Sequence, residues 1–415
     1  MTDTTDVDVD ALLGEILLTP EGKSNPYPRY AAVREAGPAF RTAIGVVVVA
    51  RYDDCQFILR DARFGKGELA APWEQYGMTE DAWVARFPNM RRRMTSMLGL
   101  NPPDHTRLRR LVAKAFTPKT VETLRPEIER LTDELLERFD TNVDIMSELA
   151  LPLPVAVIGE MLGIPESERV ELQPYIRDSV KTLEFDPPLE ALDVAAAASE
   201  VIAEHLDALI AARRAEPTDD LLSQLIHVEE EGDQLSYDEL VTTVMLLFGA
   251  GFETTTNLIG NGLLALLDHP GEMERLRADP SLGKTAIEEM LRWDSPVQID
   301  GREAFEDIDL HGVGVARGEE VITLLGSANR DPRVYDDPDR FDVGRVAQAP
   351  MSFGAGIHYC LGAALARAEG QIVFDSLVNR YRSIEPAWPD DEPLRYRDNL
   401  VLRGLESLPV TFRYR

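Results

Sequence analysis

The chain has 415 residues, of which 44% are hydrophobic and 28% charged, an ordinary composition for a globular protein that argues against wholesale disorder. Its formal net charge of −30 argues against general affinity for nucleic acid or anionic membranes. Only two cysteines occur, Cys55 and Cys360, so we expect no disulfide framework, iron–sulfur cluster or structural zinc site. This cysteine usage predicts a reducing cytoplasmic compartment.

The first ten residues hold four aspartates and no basic residue, which is unlike a signal peptide or a membrane anchor. We therefore expect no membrane anchor, and a disordered start over about residues 1–12. No internal repeat or low-complexity linker interrupts the chain. The sequence predicts one domain over residues 1–415, working as a monomer.

Short helical and strand signals open the chain. A helix is predicted over 28–36, a strand over the β-branched run 46–50, and a helix over 53–60 in which Cys55 is an inert core residue. Residues 65–100 show weak periodicity and four methionines. They fit a surface loop, an adaptable apolar lining that includes Met94 and Leu98, or ordinary core packing.

Residues 101–110 combine a helix start with a cationic face. The sequence Pro-Pro-Asp is typical of a first helical turn, and His105 and Arg109 then fall four residues apart on one face. Such a pair can hold an anionic partner through charge-assisted hydrogen bonds, although a solvated basic face is the usual fate of these side chains.

The surrounding segment, from Arg86 to Arg125, has ten basic and two acidic residues, a local charge of +8 in an acidic protein. Such a basic patch can steer an acidic partner, and a solvated face is the alternative. Amphipathic helices are predicted over 124–140 and 190–214, and an apolar helix over 151–165.

The longest predicted helix is almost uncharged. Ser236 and Glu239 form a capping box, and the helix runs from Leu240 to Leu267, before Asp-His-Pro. A stretch of this length can span a bilayer. Because it contains Glu253 and two asparagines and has acidic flanks, a buried helix in the middle of a globular domain fits better.

The centre of this helix reads Gly-Ala-Gly-Phe-Glu-Thr-Thr over residues 249–255. Small residues let a flat ligand lie close to the helix, and a buried carboxylate is costly unless it is paired or used. Glu253 beside Thr254 can pass protons to a bound oxygen species. The alternative is a helix kink in which Thr254 bonds back to a carbonyl.

Paired strands are predicted over 302–322, with turns at His311-Gly312 and Arg317-Gly318, and short strands over 396–412. Earlier, Glu289 and Arg292 stand at i and i+3, close enough for a salt bridge that would ordinarily be a surface pair.

One loop stands out by its spacing. Residues 353–362 read Phe-Gly-Ala-Gly-Ile-His-Tyr-Cys-Leu-Gly, and an alanine-rich helix follows. Glycines allow unusual backbone angles and close approach to a flat ligand. A cysteine just before a helix points towards unpaired N–H groups, which favour the thiolate, and such a thiolate can ligate heme iron. The alternative is a buried structural cysteine.

At six positions this loop resembles the heme-binding loop of the cytochromes P450: Phe353, Gly354, Gly356, His358, Cys360 and Gly362. The Ala-Gly-x-Glu-Thr stretch around Glu253, the Glu-x-x-Arg pair and the later Pro-x-Arg-Phe sequence follow the family's order. The resemblance implies a mainly α fold with small β-sheets, in which a long central helix and a helical bundle surround the heme.

The resemblance also implies roles for individual residues. Cys360 would be the metal ligand of heme b, and Glu253 and Thr254 would deliver the catalytic protons. Glu289, Arg292 and Arg340 would form a buried structural triad. The remaining cofactor contacts would be His105, Arg109, Ala250, Arg302, Phe353, Gly354, His358 and Gly362. The substrate pocket would include Met94, Leu98, Leu246, Ala250, Val297, Ile299 and Val401.

The implied activity is the hydroxylation of a hydrophobic small molecule, such as a steroid, terpenoid, macrolide or other polyketide, or fatty acid. It uses O₂ and electrons from a separate ferredoxin and ferredoxin reductase, since no reductase-like segment follows the loop. Two alternatives remain. One is another oxidation, such as epoxidation, C–C cleavage, coupling or a peroxide-driven reaction. The other is a non-catalytic heme-binding or ligand-sensing protein.

Overall fold

The computed structural model describes residues 7–67, 73, 76–87, 96–179, 187–230, 233–389, 392–399 and 401–414. Within these ranges the fold is mainly helical and carries small sheets, as the sequence predicts.

Most of the chain forms α-helices of very different lengths. In chain order they are α1 (Val9–Leu18), α2 (Pro20–Ser24), α3 (Tyr27–Ala36), α4 (Tyr52–Arg60), α5 (Glu80–Arg86), α6 (Asp104–Ala113), α7 (Pro118–Leu136), α8 (Pro152–Leu162), α9 (Glu166–Ser179), α10 (Leu189–Ala215), α11 (Leu221–His227), α12 (Tyr237–Asp268), α13 (Pro270–Ala278), α14 (Gly283–Trp293), α15 (Leu325–Ala328) and α16 (Ala363–Arg380).

The strands are short and lie at the edges of the helical body. They are β1 (Ala39–Arg41), β2 (Val47–Val49), β3 (Phe64–Gly65), β4 (Asn142–Asp144), β5 (Glu229–Glu230), β6 (Asp233–Gln234), β7 (Ile299–Ala304), β8 (Ile308–Leu310), β9 (Val313–Val315), β10 (Glu320–Leu324), β11 (Tyr381–Pro386) and β12 (Pro409–Tyr414).

The largest sheet has the order β1-β2-β10-β7-β3, with β2 and β10 parallel and the other neighbours antiparallel. A second sheet has the order β11-β12-β4, and β5-β6 and β8-β9 are hairpins. The pairing of β3 with β7 matters for the site, because it brings the end of β3 beside Asp300 and Arg302 on β7.

The central helix α12 begins and ends where its sequence predicts. Ser236 Oγ accepts a hydrogen bond from Glu239 N (3.3 Å), and Glu239 Oε2 accepts one from Ser236 N (2.8 Å), which completes the capping box. The helix ends at Asp268, and Pro270 starts the next helix. Because most of its side chains are buried against α8, α14 and α16, it forms the axis of the core.

Among the described residues, no single helix is long and apolar enough to cross a membrane. Within the same residues, one bent pair, Met146–Leu162 with Glu166–Ser179 at 116°, has the length and apolar composition of a broken span.

The start of the chain differs from the prediction. Residues 1–6 lie outside the described ranges, but the expected disorder is wrong from Val9 onward, where α1 begins. Asp8 caps this helix by accepting a hydrogen bond from Ala11 N (2.9 Å), and Leu13 and Ile16 are buried. Burial of the apolar side chains of α1 therefore stabilises this helix despite the acidic residues around it.

The other short elements agree with their sequence signals. The predicted segments 28–36, 46–50 and 53–60 are α3, β2 and α4, and Cys55 is fully buried. The predicted turns also form, since Gly312 and Gly318 have φ of 90° and 88°. Those angles favour glycine, which explains where the β8-β9 and β9-β10 connections reverse.

Candidate active site

The cysteine loop is shaped by its glycines. Gly354 and Gly356 have φ of 66° and 70°. A Cβ on Gly356 would lie 2.1 Å from the carbonyl oxygen of Leu59, at the end of α4, so only glycine allows this contact. Cys360 N donates a hydrogen bond to Phe353 O (2.9 Å), which closes the loop, and Gly362 precedes the first turn of α16.

Cys360 has an exposed surface but is surrounded by protein on most sides. Loss of hydration there raises the pKa of its thiol, whereas the Gly362 N–H and the guanidinium groups of Arg109 and Arg367 lower it. The net shift is upward, although the Gly362 N–H at the start of the helix favours the thiolate as expected. Burial therefore has a larger effect on the thiol pKa than the backbone N–H group has. A bound cation next to the sulfur would lower the pKa and favour the thiolate.

The structure brings four of the predicted cofactor contacts, two histidines and two arginines, into one cluster beside this loop. The rings of His105 on α6 and His358 in the loop have centroids 4.2 Å apart. Arg109 Nη2 donates to the carbonyl oxygen of Tyr359 (2.5 Å), which ties α6 to the loop. Arg302 on β7 is 2% exposed and lowers the pKa of both histidines.

Several buried nitrogen atoms in this cluster have no hydrogen-bond partner within the described ranges. They are both ring nitrogens of His105, Nε2 of His358 and Nη2 of Arg302. Burial, followed by neighbouring cations, lowers the pKa of His105 and lowers that of His358 to about 3, so both imidazoles are neutral near pH 7. Buried unpartnered groups are costly, so this cluster is built for a ligand that accepts hydrogen bonds.

Lys66, which our sequence analysis missed, also belongs to the cluster. It follows β3, and its Nζ lies 2.6 Å from Asp300 Oδ1 and 3.3 Å from Gly301 O. Burial lowers the pKa of Lys66, whereas Lys66 and Arg302 hold the pKa of Asp300 at about 2 against the effect of burial. Nothing local marks this lysine, since only the pairing of β3 with β7 places it there.

The charge of the cluster fits a heme. Lys66, Arg109 and Arg302 are cationic, Asp300 is anionic and the histidines are neutral, so these six side chains carry two excess positive charges, with the exposed Glu320 further out. A heme presents two carboxylates and an iron that accepts a thiolate. The unpartnered donors therefore suit the heme carboxylates, and the neighbouring Cys360 suits the iron.

In the centre of α12, Ala250 is exposed although Gly249, Phe252 and Glu253 are buried. Open space therefore borders the helix at the predicted cofactor contact. This agrees with the expectation that small residues admit a flat ligand.

Glu253 and Thr254 are not hydrogen-bonded to each other. Arg397 forms an ion pair with Glu253 through a hydrogen bond, and Arg177 Nε lies 3.9 Å from Glu253 Oε2. Thr254 Oγ1 donates to Ala250 O (3.0 Å), which is the back-bonded geometry of the alternative interpretation. Sequence reasoning missed Arg397, because the C-terminal segment that carries it meets α12 only in the folded chain.

The structural triad has a different third member from the one predicted. Arg292 Nε and Nη2 donate to both carboxylate oxygens of Glu289 (2.7 and 2.8 Å), as expected. Arg345 Nε, not Arg340, then reaches Glu289 at 3.1 Å. The choice of Arg340 is therefore wrong: its side chain is 59% exposed and lies 3.7 Å from Asp342.

Physically, Arg340 takes part through its backbone, because its carbonyl oxygen accepts hydrogen bonds from Arg292 (3.1 Å) and Arg345 (2.7 Å). The two buried guanidinium groups thereby fix the turn between α15 and the cysteine loop.

The predicted pocket residues are only partly brought together. Met94 lies outside the described residues, Leu98 is 43% exposed, and Leu246 is half-buried on α12. Val297 pairs with Leu402, and the adjacent Gln298 N donates to Val401 O (3.0 Å). Val297, Val401 and Ile299 are half-buried side chains in this region.

In the described part of the basic segment, residues 86–87 and 96–125, several arginines are paired rather than free. Arg86, Arg107 and Arg110 pair with acids from distant segments. Beside the cysteine loop lies a surface depression of about 510 Å³, whose lining includes the exposed Arg60, Ile357 and Tyr359.

Known proteins resemble this chain over most of its length. The model of the family described as Cytochrome P450 matches residues 69–404. The chain is 39% identical over 411 residues to the polyketide biosynthesis cytochrome P450 PksS of Bacillus subtilis (strain 168), covering 96% of this chain and 99% of that protein. It is 41% identical over 394 residues to the vitamin D(3) 25-hydroxylase of Pseudonocardia autotrophica, covering 93% and 94%.

Among solved structures, the crystal structure of P450BioI in complex with hexadec-9Z-enoic acid ligated acyl carrier protein has a TM-score of 0.88 and 36% identity, covering 95% of this chain and 99% of that one. The fold, the cysteine loop and these relatives lead to one conclusion: the chain belongs to the cytochrome P450 family and is a monooxygenase of the bacterial type.

Proposed function

We propose that this protein holds heme b through Cys360 and hydroxylates a hydrophobic small molecule, using O₂ and electrons from a separate ferredoxin and ferredoxin reductase. The observation that carries the proposal is the convergence of unpartnered donors on His105, His358 and Arg302 beside the cysteine loop. Two excess positive charges and a cysteine at one site suit a heme better than any other common group.

Each residue then has a distinct task. Arg109 and Arg302, with the two neutral histidines, bind the carboxylates and orient the cofactor, and Lys66 compensates the charge of the neighbouring Asp300. Phe353, Gly354 and Gly362 shape the loop that presents Cys360, and Ala250 leaves room on the opposite helix. The heme supplies the binding and activation of O₂ when it is present.

Glu253 and Thr254 hold and move the protons in this proposal. Glu253 keeps its carboxylate next to Arg397, and Thr254 Oγ1 must give up its bond to Ala250 O before it can donate elsewhere. Side-chain rotation of one threonine is enough for that change, because the acceptor lies on its own helix.

The proposed substrate is hydrophobic and the proposed electron donor acidic. Half-buried apolar residues near Val297 and Val401 support the first point, and the named polyketide and vitamin D₃ relatives set the classes to screen. The exposed Arg60 beside the loop supports a docking face for an acidic ferredoxin. The free cysteines, Cys55 and Cys360, support a reducing cytoplasmic compartment.

The test is turnover with NADPH, a surrogate ferredoxin and its reductase. Steroids, terpenoids, macrolides and fatty acids are screened, the last both free and linked to an acyl carrier protein. The proposal expects a product that gains one oxygen atom from ¹⁸O₂. Ligand-induced spectral shifts without any product would instead support a binding or sensing protein.

A further inference from the structure

A polar seam runs between α12 and the C-terminal hairpin, which we define as residues 395–399 and 401–406. The hairpin is closed by Arg397 N donating to Gly404 O (2.9 Å) and Glu406 N donating to Arg395 O (2.9 Å). Asn261 Nδ2 donates to Arg403 O (3.1 Å). The contact is tight, since a Cβ on Gly404 would lie 1.9 Å from Asn257 Oδ1.

Polar atoms along this seam lack partners. Glu253, Asn257 and Asn261 follow one another at four-residue intervals, and their exposed fractions are 5%, 0% and 2%. Four of their atoms form no hydrogen bond with any part of the chain that the structure describes: Glu253 Oε2, Asn257 Oδ1, Asn257 Nδ2 and Asn261 Oδ1. Thr256 Oγ1, on the residue before Asn257, is also buried and has no partner among the described residues.

The cost of leaving these atoms unpaired is large. A buried polar group without a partner costs about 1–3 kcal/mol, so a set of this size calls for a ligand. Residues four apart on a helix are separated by about 6 Å along its axis, which is about twice the length of a hydrogen bond. A single small molecule between successive side chains can therefore bond to both.

The chemistry of the seam selects water. A metal cation would suit the oxygen atoms, but Asn257 Nδ2 is a donor that a cation leaves unpaired. Arg397 already neutralises Glu253, which also disfavours a second cation. Arg177 Nε is unpartnered too and lies 3.9 Å from Glu253 Oε2, a separation that a bridging water suits.

We propose that the seam is a buried-water site in which Asn257 and Asn261 hold water against the carboxylate of Glu253. Asn257 thereby acts as a positioning residue: through water, it fixes Glu253 Oε2. The existence of the site follows from the contacts alone, and only its effect on proton handling rests on the proposed function.

Crystal structures of the heme-loaded protein and of two variants test the site. Asn257→Ser keeps a hydroxyl group and leaves space for water, whereas Asn257→Leu fills the seam with an apolar side chain. We expect ordered water within hydrogen-bond distance of Asn257 and Asn261 in the wild type, retained in the serine variant and lost in the leucine variant. A dry seam with Asn257 bonded to protein atoms, or an ion at metal-like distances, would overturn the proposal.

A second measurement covers the case in which the leucine variant does not crystallise. Magnetic relaxation dispersion of water counts long-lived internal water molecules in solution. Asn257→Leu should have fewer of them than Asn257→Ser, and equal counts would argue against the site.

The effect on Glu253 is read as hydrogen peroxide formed per NADPH consumed, without substrate, using a surrogate ferredoxin. Asn257→Leu should raise this ratio at least twofold, and Asn257→Ser should restore it. The control is Thr132→Val, which removes a buried hydroxyl on α7 outside the seam and should change nothing. An unchanged ratio in a leucine variant that has lost its water would refute the positioning role. If no form of the protein consumed O₂, the proposed function would fail, and the crystallographic result would still decide the site.

Discussion

Lys66 shows how one side chain can prepare a binding site. Its ammonium group lies 2.6 Å from Asp300, within a cluster that would otherwise place a carboxylate beside the carboxylates of a heme. By compensating Asp300, Lys66 leaves the two positive charges of Arg109 and Arg302 available to the ligand. A lysine far from the recognisable motifs thus sets the charge of the whole cluster.

Replacing Lys66 with methionine should destabilise the protein by about 2–3 kcal/mol at pH 7, because Asp300 then keeps one cationic partner, Arg302, among the described residues. Lys66→Arg keeps the charge and should stay within about 1 kcal/mol of the wild type. Urea unfolding checks both variants. Equal stability of the wild type and the methionine variant would contradict the role given to Lys66.

The same pair predicts a pH dependence. The pKa of Asp300 in the fold is about 2, below its ordinary value of 3.8, because Lys66 and Arg302 outweigh burial. The ionised carboxylate therefore stabilises the fold above pH 4, and this contribution is lost as the pH falls from about 4 to about 2. Unfolding measured across that range should show the gap between wild type and Lys66→Met closing; a gap that stays constant would argue against the ion pair.

The two arginines near Glu289 make a matched pair. Arg345→Gln removes a buried partner of a carboxylate that is 1% exposed, so we expect a loss of about 3 kcal/mol. Arg340→Gln changes an exposed side chain and should cost less than about 0.5 kcal/mol. Chemical unfolding of both variants measures these losses of stability. A larger loss for Arg340→Gln than for Arg345→Gln would support Arg340 as the third member of the triad.

At the scale of an element, the cysteine loop depends on its fit against α4. Gly356→Ala places a Cβ 2.1 Å from Leu59 O at a φ of 70°, so we expect a loss of at least about 2 kcal/mol and weaker heme retention. Thermal unfolding and the heme content of the purified protein measure these effects.

Gly362→Ala is the control for this change. No atom lies within 4 Å of a Cβ at that position, and its φ of −82° suits alanine, so its stability should stay within about 0.5 kcal/mol. If both glycine variants unfolded at the same temperature, contact with α4 would not be what constrains the loop.

The elements were predictable where their signals are local. The capping box of α12, the glycine turns near residues 312 and 318 and the cysteine loop each lie within a few adjacent residues. Arg345 was not predictable, because it lies 56 residues from Glu289 and the spacing does not say which of two nearby arginines turns inward. Lys66 and Arg397 reach their partners only through sheet pairing or hairpin packing, and the side-chain rotamer of Thr254 is likewise set by its surroundings.

For the whole molecule, electrostatics should guide the electron donor. The protein is strongly acidic, and Arg86 and Arg107 of the basic segment are paired with acids, so the exposed Arg60 beside the cysteine loop should contribute to docking. Arg60→Glu should slow reduction by an acidic ferredoxin several-fold at low salt, with the difference shrinking at high salt. Stopped-flow reduction measures this, with Arg138→Glu, an exposed residue just after the end of α7, as the control. Equal slowing by both variants would mean that only the total charge matters.

The central claim is that Cys360 ligates the iron of a bound heme. The most direct measurement is the carbon monoxide difference spectrum of the dithionite-reduced protein, recorded for the wild type and for Cys360→Ala. We expect a strongly red-shifted Soret band in the wild type and its loss in the variant. A band at the position typical of histidine-ligated heme in the wild type, or a protein that binds no heme, would contradict the claim.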